Sequence, residues 1–594
     1  MSRPQPGSQP RPVLIGNAAG FYGDRFDAVR EMVEGGPIDV LTGDYLAELT
    51  MLILWKARKK DPSTGYAATF LAQMEQVLGT CLDRGIKVVS NAGGLNPSGL
   101  AGALVDLSAR LGLDAKIAYV EGDDLVDRIP SLLAEGHDLA HLDTGRALAD
   151  AGVEPVSANA YLGSWAIVEA LGAGADIVVC PRVTDASLVV GPAAWWHGWA
   201  RDDWDALAGA VAAGHVIECG PQACGGNYSW LDEVTDRRYP GFPIAEVAAD
   251  GSSVITKHPG TGGLVSPGTV TAQLLYEIGD PAYANPDVVA HFDTSVLTQE
   301  APDRVLISGT RGTPPPDHLK VALNYVGGYR NSMTMVVTGL DVEEKVQWAE
   351  DLLFDALGGR EQYDEVDVRL SRFDHEDAPS AELAAAQLTV SVKDRDAALV
   401  GRRFSNAFTG LFLGGYAGFH TTTPPSAERE FGVYWPTLIP SDLVEQRVVL
   451  PDGTAHSVPH APGVAERVAV TPTHVDLPEV VGGETRSVPL GRIAAARSGD
   501  KGGNANIGLW TRDPAAYAWL RETLTVDAFR ALLPEAADLE VRRYELANLW
   551  ALNFVVVGLL GDGVASSTRP DPQAKGLGEY LRSRHLDIPT DLLA

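Results

Sequence analysis

Cysteine, basic side chains and long apolar runs are all scarce in this sequence of 594 residues. Four cysteines are too few for a disulfide scaffold and are typical of a reducing cytoplasm, where we expect the protein to lie. Lys and Arg number 47 against 78 Asp and Glu, and the resulting formal net charge of −31 repels phosphate backbones and anionic lipid. We therefore expect no nucleic-acid partner and no membrane partner.

No apolar run reaches the ~18 residues that a membrane span needs without including a charge. The opening segment MSRPQPGSQPRP lacks the apolar core of a signal peptide, so residues 1–10 are predicted to form a disordered tail. The length fits about three to four domains of ~150 residues each.

Common catalytic and cofactor motifs are also missing. There is no G-x-x-x-x-G-K-[ST] loop, no G-x-S-x-G elbow and no H-E-x-x-H or H-x-H cluster. Cys219 and Cys224 are spaced C-x-x-x-x-C and lack the second pair that a zinc site requires. No firm cofactor is predicted, and a metal held by separated acids and histidines stays open.

A repeated alternation of short apolar runs and amphipathic stretches fills the chain from residue 11 to about 220. The runs are rich in Val and Ile and do not alternate with polar residues, as in strands covered on both faces. A strand followed by a helix, repeated, predicts parallel strands with right-handed crossovers. The predicted strands lie in PVLIGN, IDVLTG, IKVVSN, AKIAYVEG, PVSANA and DIVVC, with HVIECG as a seventh candidate.

The predicted fold class is therefore α/β: a large domain with a parallel sheet, either open or closed, followed by smaller α+β domains. The large domain is assigned to residues 11–300 and the first α+β domain to 301–425. In the latter, LKVALNYVGGYRNSMTMVVTG is interpreted as a strand pair around Gly327 and Gly328. Residues 426–485 are predicted to be an irregular connector, and 486–594 a last α+β domain.

Polar side chains follow each predicted strand of the large domain. Parallel strands bring their carboxyl ends to one rim, where α/β proteins bind ligands. We therefore expect a small-molecule site on that rim. Its candidate catalytic residues are Asp44, Glu48 and Asp185. Its candidate substrate- or anion-binding residues are Asn17, Asn91, Gly93, Gly94, Asn96, Asn159, Tyr161, Arg182, Thr184 and, from the last domain, Lys501.

Two motifs on this rim carry acids. TGDYLAE places Asp44 and Glu48 at i, i+4, where a helix would give both carboxyls one face and paired acids divide into acid and base roles. The alternative is a helix cap with a solvated glutamate. In CPRVTDAS, Arg182 suits a carboxylate or phosphate, and Asp185 suits a base or a partner for Arg182. The alternative there is a local salt bridge and helix cap.

Two glycine-rich motifs suit anions. In SNAGGLNPSG, Gly93 and Gly94 lead into a helix start, whose N–H groups and dipole favour an anion. The alternative is a tight turn and a cap. In RSGDKGGNANIG, Lys501 lies between glycines, as in a loop that holds phosphate or as in a plain hairpin turn.

Together these motifs resemble the acyclic terpene utilisation family, AtuA. The resembling segments run in order over nearly the whole chain and are GNAAGFYGD, LTGDYLAELTM, SNAGGLNP, PRVTDASLVVGPA, CGPQACGGNYS, HPGTGGLVSPGTVTAQLLYEI and RSGDKGGNANIG. The resemblance implies a large N-terminal domain and a small C-terminal domain with a ferredoxin-like fold. It also implies a place in the breakdown of branched, isoprenoid-like acids carried as coenzyme A thioesters. It transfers no catalytic residue.

Two functional hypotheses follow. The first is an enzyme, of lyase or hydratase type, that acts through an enolate on a branched acyl-CoA or carboxylate, with the coenzyme A thioester as a candidate substrate. The second is a non-catalytic subunit or binding protein that assembles with an enzyme of the same pathway. A homo-oligomer is expected in either case.

Overall fold

A computed structural model describes residues 11–593, so the predicted tail at 1–10 lies outside the described residues. The chain separates into two compact units. The first contains the chain up to Asn324, Tyr434–Val564 and the chain from Asp571 onward; the second contains Tyr325–Val433 and Ala565–Pro570. These borders do not coincide with the domain borders at 300, 425 and 485, and that division of the chain stays a prediction.

The helices of the first 220 residues mostly follow strands, as the alternating pattern predicts. One of them, at residues 97–110, begins where Asn96 accepts a hydrogen bond from the Gly99 amide and Pro97 occupies the first position. The α-helices of the described chain are α1 (Ala28–Glu34), α2 (Glu48–Lys60), α3 (Ala68–Arg84), α4 (Pro97–Arg110), α5 (Ile129–Ala134), α6 (Leu148–Ala151), α7 (Trp165–Gly172), α8 (Ser187–His197), α9 (Trp204–Ile217), α10 (Pro267–Leu274), α11 (Val342–Leu357), α12 (Phe404–Gly414), α13 (Pro514–Thr523), α14 (Val526–Leu532) and α15 (Leu577–Ser583). None of these helices combines the length and apolarity needed to cross a membrane.

The strands within residues 11–593 build several sheets. They are β1 (Val13–Asn17), β2 (Val40–Gly43), β3 (Lys87–Ser90), β4 (Ile117–Glu121), β5 (Pro155–Ala160), β6 (Ile177–Val179), β7 (Pro243–Val247), β8 (Ser253–Lys257), β9 (Ala282–Ala284), β10 (Val289–His291), β11 (Val296–Ala301), β12 (Arg304–Ser308), β13 (Arg311–Thr313), β14 (His318–Thr338), β15 (Glu365–Ser371), β16 (Ala385–Asp394), β17 (His420–Thr421), β18 (Arg429–Pro440), β19 (Arg447–Val449), β20 (Ala455–Ser457), β21 (Thr485–Pro489), β22 (Ala494–Lys501), β23 (Asn504–Thr511), β24 (Val541–Leu546), β25 (Ala551–Val556) and β26 (His585–Pro589).

The main sheet of the first unit confirms the α/β class. Its order is β11-β12-β8-β7-β1-β2-β3-β6-β4-β19-β20. The central strands β1, β2, β3, β6 and β4 pair in parallel, as predicted. The flanking strands on both sides pair antiparallel. The sheet is therefore mixed: the predicted parallel strands form its centre, and antiparallel strands that the repeat did not predict extend both sides.

Two predicted strands of this sheet fold differently. The strand PVSANA forms as β5, but it pairs with β14 and not with the central strands. The segment HVIECG is not a strand, since its first residues end α9 and Gly220–Cys224 form a short 3₁₀ turn. The Ala- and Gly-rich helix before it is buried all round, and a helix buried on every side shows no polar face by which sequence could distinguish it from a strand.

The second unit contains a sheet in which β15, β16, β14 and β17 are neighbours. Helices α11 and α12 contribute Val346, Leu353, Phe404 and Phe408 to its apolar core. The predicted strand pair around the two glycines is instead one continuous strand, β14.

The C-terminal part of the first unit has an antiparallel sheet of order β22-β23-β25-β24. Its apolar core includes residues of α13, α14 and α15. This is the α+β plan that the sequence predicts. The segment PAAYAWLRETLTVDAFRALL forms two helices, α13 and α14, because Thr525 begins α14 by accepting a hydrogen bond from the Ala528 amide at 3.2 Å.

Candidate functional site

A cavity of about 610 Å³ lies in the first unit. Its size falls within the ~300–1,000 Å³ of small-molecule sites in proteins. Its wall contains both acidic and basic side chains. The carboxyls include Asp44, Glu48, Asp185, Glu218, Glu277 and Asp500, and the cations are Arg182, Lys320, Lys501 and Lys575.

The structure brings together about half of the predicted site residues on this wall. Those that line the cavity are Asp44, Glu48, Tyr161, Arg182, Thr184, Asp185 and Lys501. The remaining predicted residues do not line it. They are Asn17, Asn91, Gly93, Gly94, Asn96 and Asn159.

Two of the asparagines outside the wall support residues on it. Asn91 donates to Asp44 Oδ1 at 2.6 Å and accepts from the Tyr45 amide at 2.8 Å, so it fixes the loop after β2. Asn17 donates to the carbonyl oxygens of Ile217 and Glu218 at 2.6 and 2.9 Å, so it fixes the end of α9. Both act through their neighbours.

Asn159 and Thr184 make contacts within the protein. Asn159 donates to Asp123 Oδ2 at 2.7 Å, and burial raises the pKa of Asp123 to about 7. The Thr184 hydroxyl lies 2.6 Å from the hydroxyl of Ser187 in the first turn of α8. These contacts order the loops after β4 and β6.

The glycine loop after β3 uses its amides internally. The Gly93 amide donates to the carbonyl of Cys180 at 3.1 Å, and the Gly94 amide to that of Asn91 at 3.2 Å. The Asn96 side chain caps α4. The loop therefore joins β3 to β6 and to α4, and its amides are not directed to the cavity wall.

Arg182 carries a buried positive charge at the cavity wall. Its Nη1 donates to Asp185 Oδ1 at 2.8 Å and to the Leu46 carbonyl at 3.2 Å. Its guanidinium lies over the Tyr161 ring, 4.1 Å from the centroid. Burial opposes this charge, but Asp185 and other neighbouring anions raise the pKa of Arg182 well above its ordinary value. The ion pair that the sequence offered as one interpretation is present.

Glu48 is the first residue of α2 and lies close to a second cation, Lys320. Its Oε1 accepts a hydrogen bond from the Tyr161 hydroxyl at 3.3 Å and lies 3.8 Å from Lys320 Nζ. Burial alone would raise the pKa of Glu48, but Lys320 and Arg182 together lower it below its ordinary value. Glu48 is therefore an ionised carboxylate at neutral pH.

The pKa of Asp44 is shifted in the opposite direction to that of Glu48. It lies in the loop between β2 and α2, so the predicted helix face shared with Glu48 does not exist, although both carboxyls line the cavity. Burial, followed by the charge of Asp185, raises the pKa of Asp44 well above its ordinary value, against Arg182 and Asn91. Asp44 therefore holds a proton under conditions in which Glu48 does not.

The C-terminal sheet also supplies groups to this wall. Lys501, at the end of β22, donates from Nζ to the Glu277 carbonyl at 2.8 Å. Burial, followed by the charge of Lys320, lowers its pKa. Beside it, Lys575 Nζ contacts the Tyr276 hydroxyl and lies 3.6 Å from Asp500 Oδ1. Burial, followed by the charge of Glu277, raises the pKa of Asp500 to about 7.

Sequence reasoning missed several residues on the wall. Lys320 belongs to β14, where a lysine in a strand gives no signal of its own. His215 and Glu218 belong to the segment predicted as a strand, and Glu277 to a turn after α10. The only available signal was the polar density of RSGDKGG, which contains Asp500 and Lys501.

The wall shows no arrangement typical of a bound metal. Within residues 11–593, no group of three or more His, Cys, Asp or Glu side chains is placed to hold an ion. The four cysteines form no disulfide bonds. Cys219 lies on the cavity wall, and burial, followed by the charge of Glu218, raises the pKa of its thiol well above the ordinary value.

The family models agree with this architecture. A model described as acyclic terpene utilisation family protein AtuA matches residues 13–450. A second, described as the AtuA ferredoxin-like domain, matches residues 488–587, which contain the antiparallel sheet β22–β25. The chain therefore belongs to the acyclic terpene utilisation family, and its C-terminal region is ferredoxin-like, as the motifs predict. No curated protein matches the chain.

Proposed function

We propose that the protein is an enzyme acting on a branched-chain or isoprenoid-like acyl-CoA or carboxylate, with lyase or hydratase chemistry through an enolate. One observation carries this proposal: Asp44 and Glu48 line one cavity with pKa values shifted in opposite directions. Such a divided pair provides a proton donor and a proton acceptor at one pH. Membership of the acyclic terpene utilisation family supports the class of substrate.

In this mechanism Glu48 removes the proton on the carbon next to the carbonyl. Lys320, 3.8 Å from Glu48, and Lys501 supply positive charge for the oxygen of the developing enolate. Asp44, as the protonated acid, donates a hydrogen bond to the same oxygen and so stabilises the enolate. Asp185 is engaged with Arg182 and acts as its counter-ion, and not as the base considered from sequence.

Deuterium exchange tests the proposal without knowledge of the complete reaction. The wild-type protein is incubated in D₂O with a panel of branched acyl-CoAs and free branched acids, and deuterium at C2 is measured by mass spectrometry. We expect exchange with at least one thioester, reduced ~10²–10⁴-fold in Glu48→Gln because the general base is lost. Asp44→Asn should reduce product formation by a comparable factor.

The matched controls are Glu135→Gln and Asp106→Asn, two exposed acids of the same unit. Both should exchange deuterium at the wild-type rate. The proposal is wrong if Glu48→Gln, with an unchanged melting temperature, exchanges deuterium as fast as these controls.

A non-catalytic subunit is the second candidate, and exposed apolar side chains of the second unit favour it. Leu413 at the end of α12 is fully exposed, and Leu340 in the turn before α11 is 81 % exposed. Size-exclusion chromatography with light scattering, alone and with enzymes of branched acyl-CoA breakdown, tests this candidate. A stable complex without deuterium exchange by the chain itself would favour it over the enzyme.

A further inference from the structure

A second acid–base pair lines the same cavity. His215 belongs to the last turn of α9, and Glu218 follows that helix directly. The Nδ1 atom of His215 lies 3.2 Å from Oε1 of Glu218. The two side chains are 1 % and 7 % exposed, so bulk water does not solvate the pair.

This pair has unsatisfied polar atoms. Within residues 11–593, both ring nitrogens of His215 and Oε2 of Glu218 are buried without a well-aligned hydrogen bond. A buried polar atom without a partner destabilises the folded protein, which favours a ligand group that would form a hydrogen bond with it. The imidazole is also held in place, because it stacks against Tyr283 and Phe292 with centroids at 4.9 and 5.4 Å.

The surroundings of Glu218 keep a proton on it. Burial raises its pKa well above the ordinary value, and the negative charges of Asp185 and Glu277 raise it further. The positive charges of Arg182 and Lys501 oppose the shift without reversing it. Glu218 therefore keeps its proton to a higher pH than an ordinary glutamate, which suits a proton donor.

The surroundings of His215 keep its ring neutral. Burial, followed by the charge of Lys501, lowers its pKa to about 4, while Glu277, Asp185 and the backbone of Tyr276 act in the opposite direction. A neutral imidazole can accept a proton at Nδ1 and donate one from Nε2.

We propose that His215 and Glu218 form a proton-transfer pair that protonates the oxygen leaving group of the substrate, while Glu48 acts at carbon. The identity of the substrate rests on the proposed function. The Nε2–H bond of His215 breaks as an O–H bond forms on the departing hydroxyl, and the Glu218 proton moves to Nδ1. The C–O bond breaks with its electrons on oxygen, water leaves, and the enolate pair forms the C=C bond. Solvent then protonates Nε2 of His215 and the Nδ1 proton moves back to Glu218, which restores the starting state for the next cycle.

The pair is tested with 3-hydroxy-3-methylbutanoyl-CoA as the probe and with His215→Gln and Glu218→Gln. Each variant should lose hydroxyl elimination by ~10²–10⁴-fold, measured as enoyl-CoA formation, and should keep C2 deuterium exchange within about twofold of wild type. His474→Gln, an exposed histidine of the same unit, is the control and should keep both rates. A parallel loss of both rates, or a loss of neither, would overturn the assignment.

Infrared spectroscopy tests, without any substrate, whether Glu218 is protonated beside His215. At neutral pH one component of the C=O absorption of protonated carboxyls should disappear in Glu218→Gln and shift in His215→Gln, because the acid loses its neighbour, while the component of Asp44 should remain in both variants. An unchanged band in Glu218→Gln overturns the pair as a proton donor. A wild-type protein that binds the probe without C2 exchange contradicts the proposed function instead, and the pair is then decided by the infrared spectrum.

Discussion

At the residue scale, the stability of the cavity wall depends on the ion pair between the buried Arg182 and Asp185. The Arg182 side chain is 4 % exposed, and Asp185 is the only carboxylate that the described residues place within 4 Å of its guanidinium. Removing one partner of a buried ion pair leaves the other charge uncompensated, which costs more free energy than the pair itself contributes. Asp185 therefore stabilises the wall whatever its part in the chemistry.

Asp185→Asn should lower the free energy of unfolding by about 3 kcal/mol, because it leaves the Arg182 charge buried without its counter-ion. Thermal unfolding followed by calorimetry measures the loss, with the exposed Asp106→Asn as the control. The double variant Arg182→Met with Asp185→Leu removes both charges and should recover much of the lost stability. Equal melting temperatures for Asp185→Asn and Asp106→Asn would contradict this role.

At the scale of elements, β14 shows how glycines mislead a prediction. Two adjacent glycines between apolar runs are typical of a hairpin, but β14 continues through Gly327 and Gly328. Gly328 has φ of +139°, and a Cβ there would lie 2.7 Å from the Asp394 carbonyl oxygen. A Cβ at Gly327 would meet the Phe431 ring at 2.4 Å. The glycines permit close packing along one strand and not a turn.

Gly328→Ala should destabilise the second unit by about 1–3 kcal/mol, because alanine resists this backbone conformation and meets the Asp394 carbonyl. Peptide-level hydrogen exchange should show faster exchange in β14 and β16. Gly410→Ala in α12 is the matched control, since a Cβ there meets nothing within 4 Å. It should stabilise the unit by about 0.5–1 kcal/mol. Unchanged exchange in Gly328→Ala would contradict the packing argument.

The same scale separates what sequence could predict from what it could not. Short Val- and Ile-rich runs between helical segments predicted β1, β2, β3, β4 and β6, because parallel strands covered on both faces carry such runs without polar alternation. The antiparallel flanks were not predictable, because pairing partners such as β7 and β19 lie hundreds of residues from the strands they meet. The position of Asp44 and Arg182 directly after predicted strands was enough to place them at the site. The same criterion also selected Asn91, which does not line the cavity but donates a hydrogen bond to Asp44.

At the scale of the whole chain, the candidate site draws on both regions that the family models match. Residues of the first region, such as Glu48 and Lys320, share the cavity wall with Lys501 of the ferredoxin-like region. No sequence pattern could pair Lys320 with Lys501, because only the folded chain brings β14 and β22 to one cavity. The ferredoxin-like region is therefore part of the site and not an appendage to it.

This shared wall predicts an electrostatic link between two distant segments. Lys501 is, after burial, the largest cause that lowers the pKa of His215 to about 4. Lys501→Gln removes a positive charge that disfavours the imidazolium, so the pKa of His215 should rise toward its ordinary value of 6.5. The same variant removes a cation from the wall and should weaken acyl-CoA binding by about tenfold, or ~1.4 kcal/mol.

Histidine NMR titration of wild type and Lys501→Gln measures the first effect, with the His215 signal assigned from its loss in His215→Gln. Calorimetry with the acyl-CoA that shows C2 exchange measures the second. Lys60→Gln, at the exposed end of α2, removes an equal charge and should change neither value, which excludes an effect of net charge alone. If the His215 pKa stays near 4 in a folded Lys501→Gln protein, the ferredoxin-like region does not supply charge to the wall, and Lys320 alone must serve the enolate.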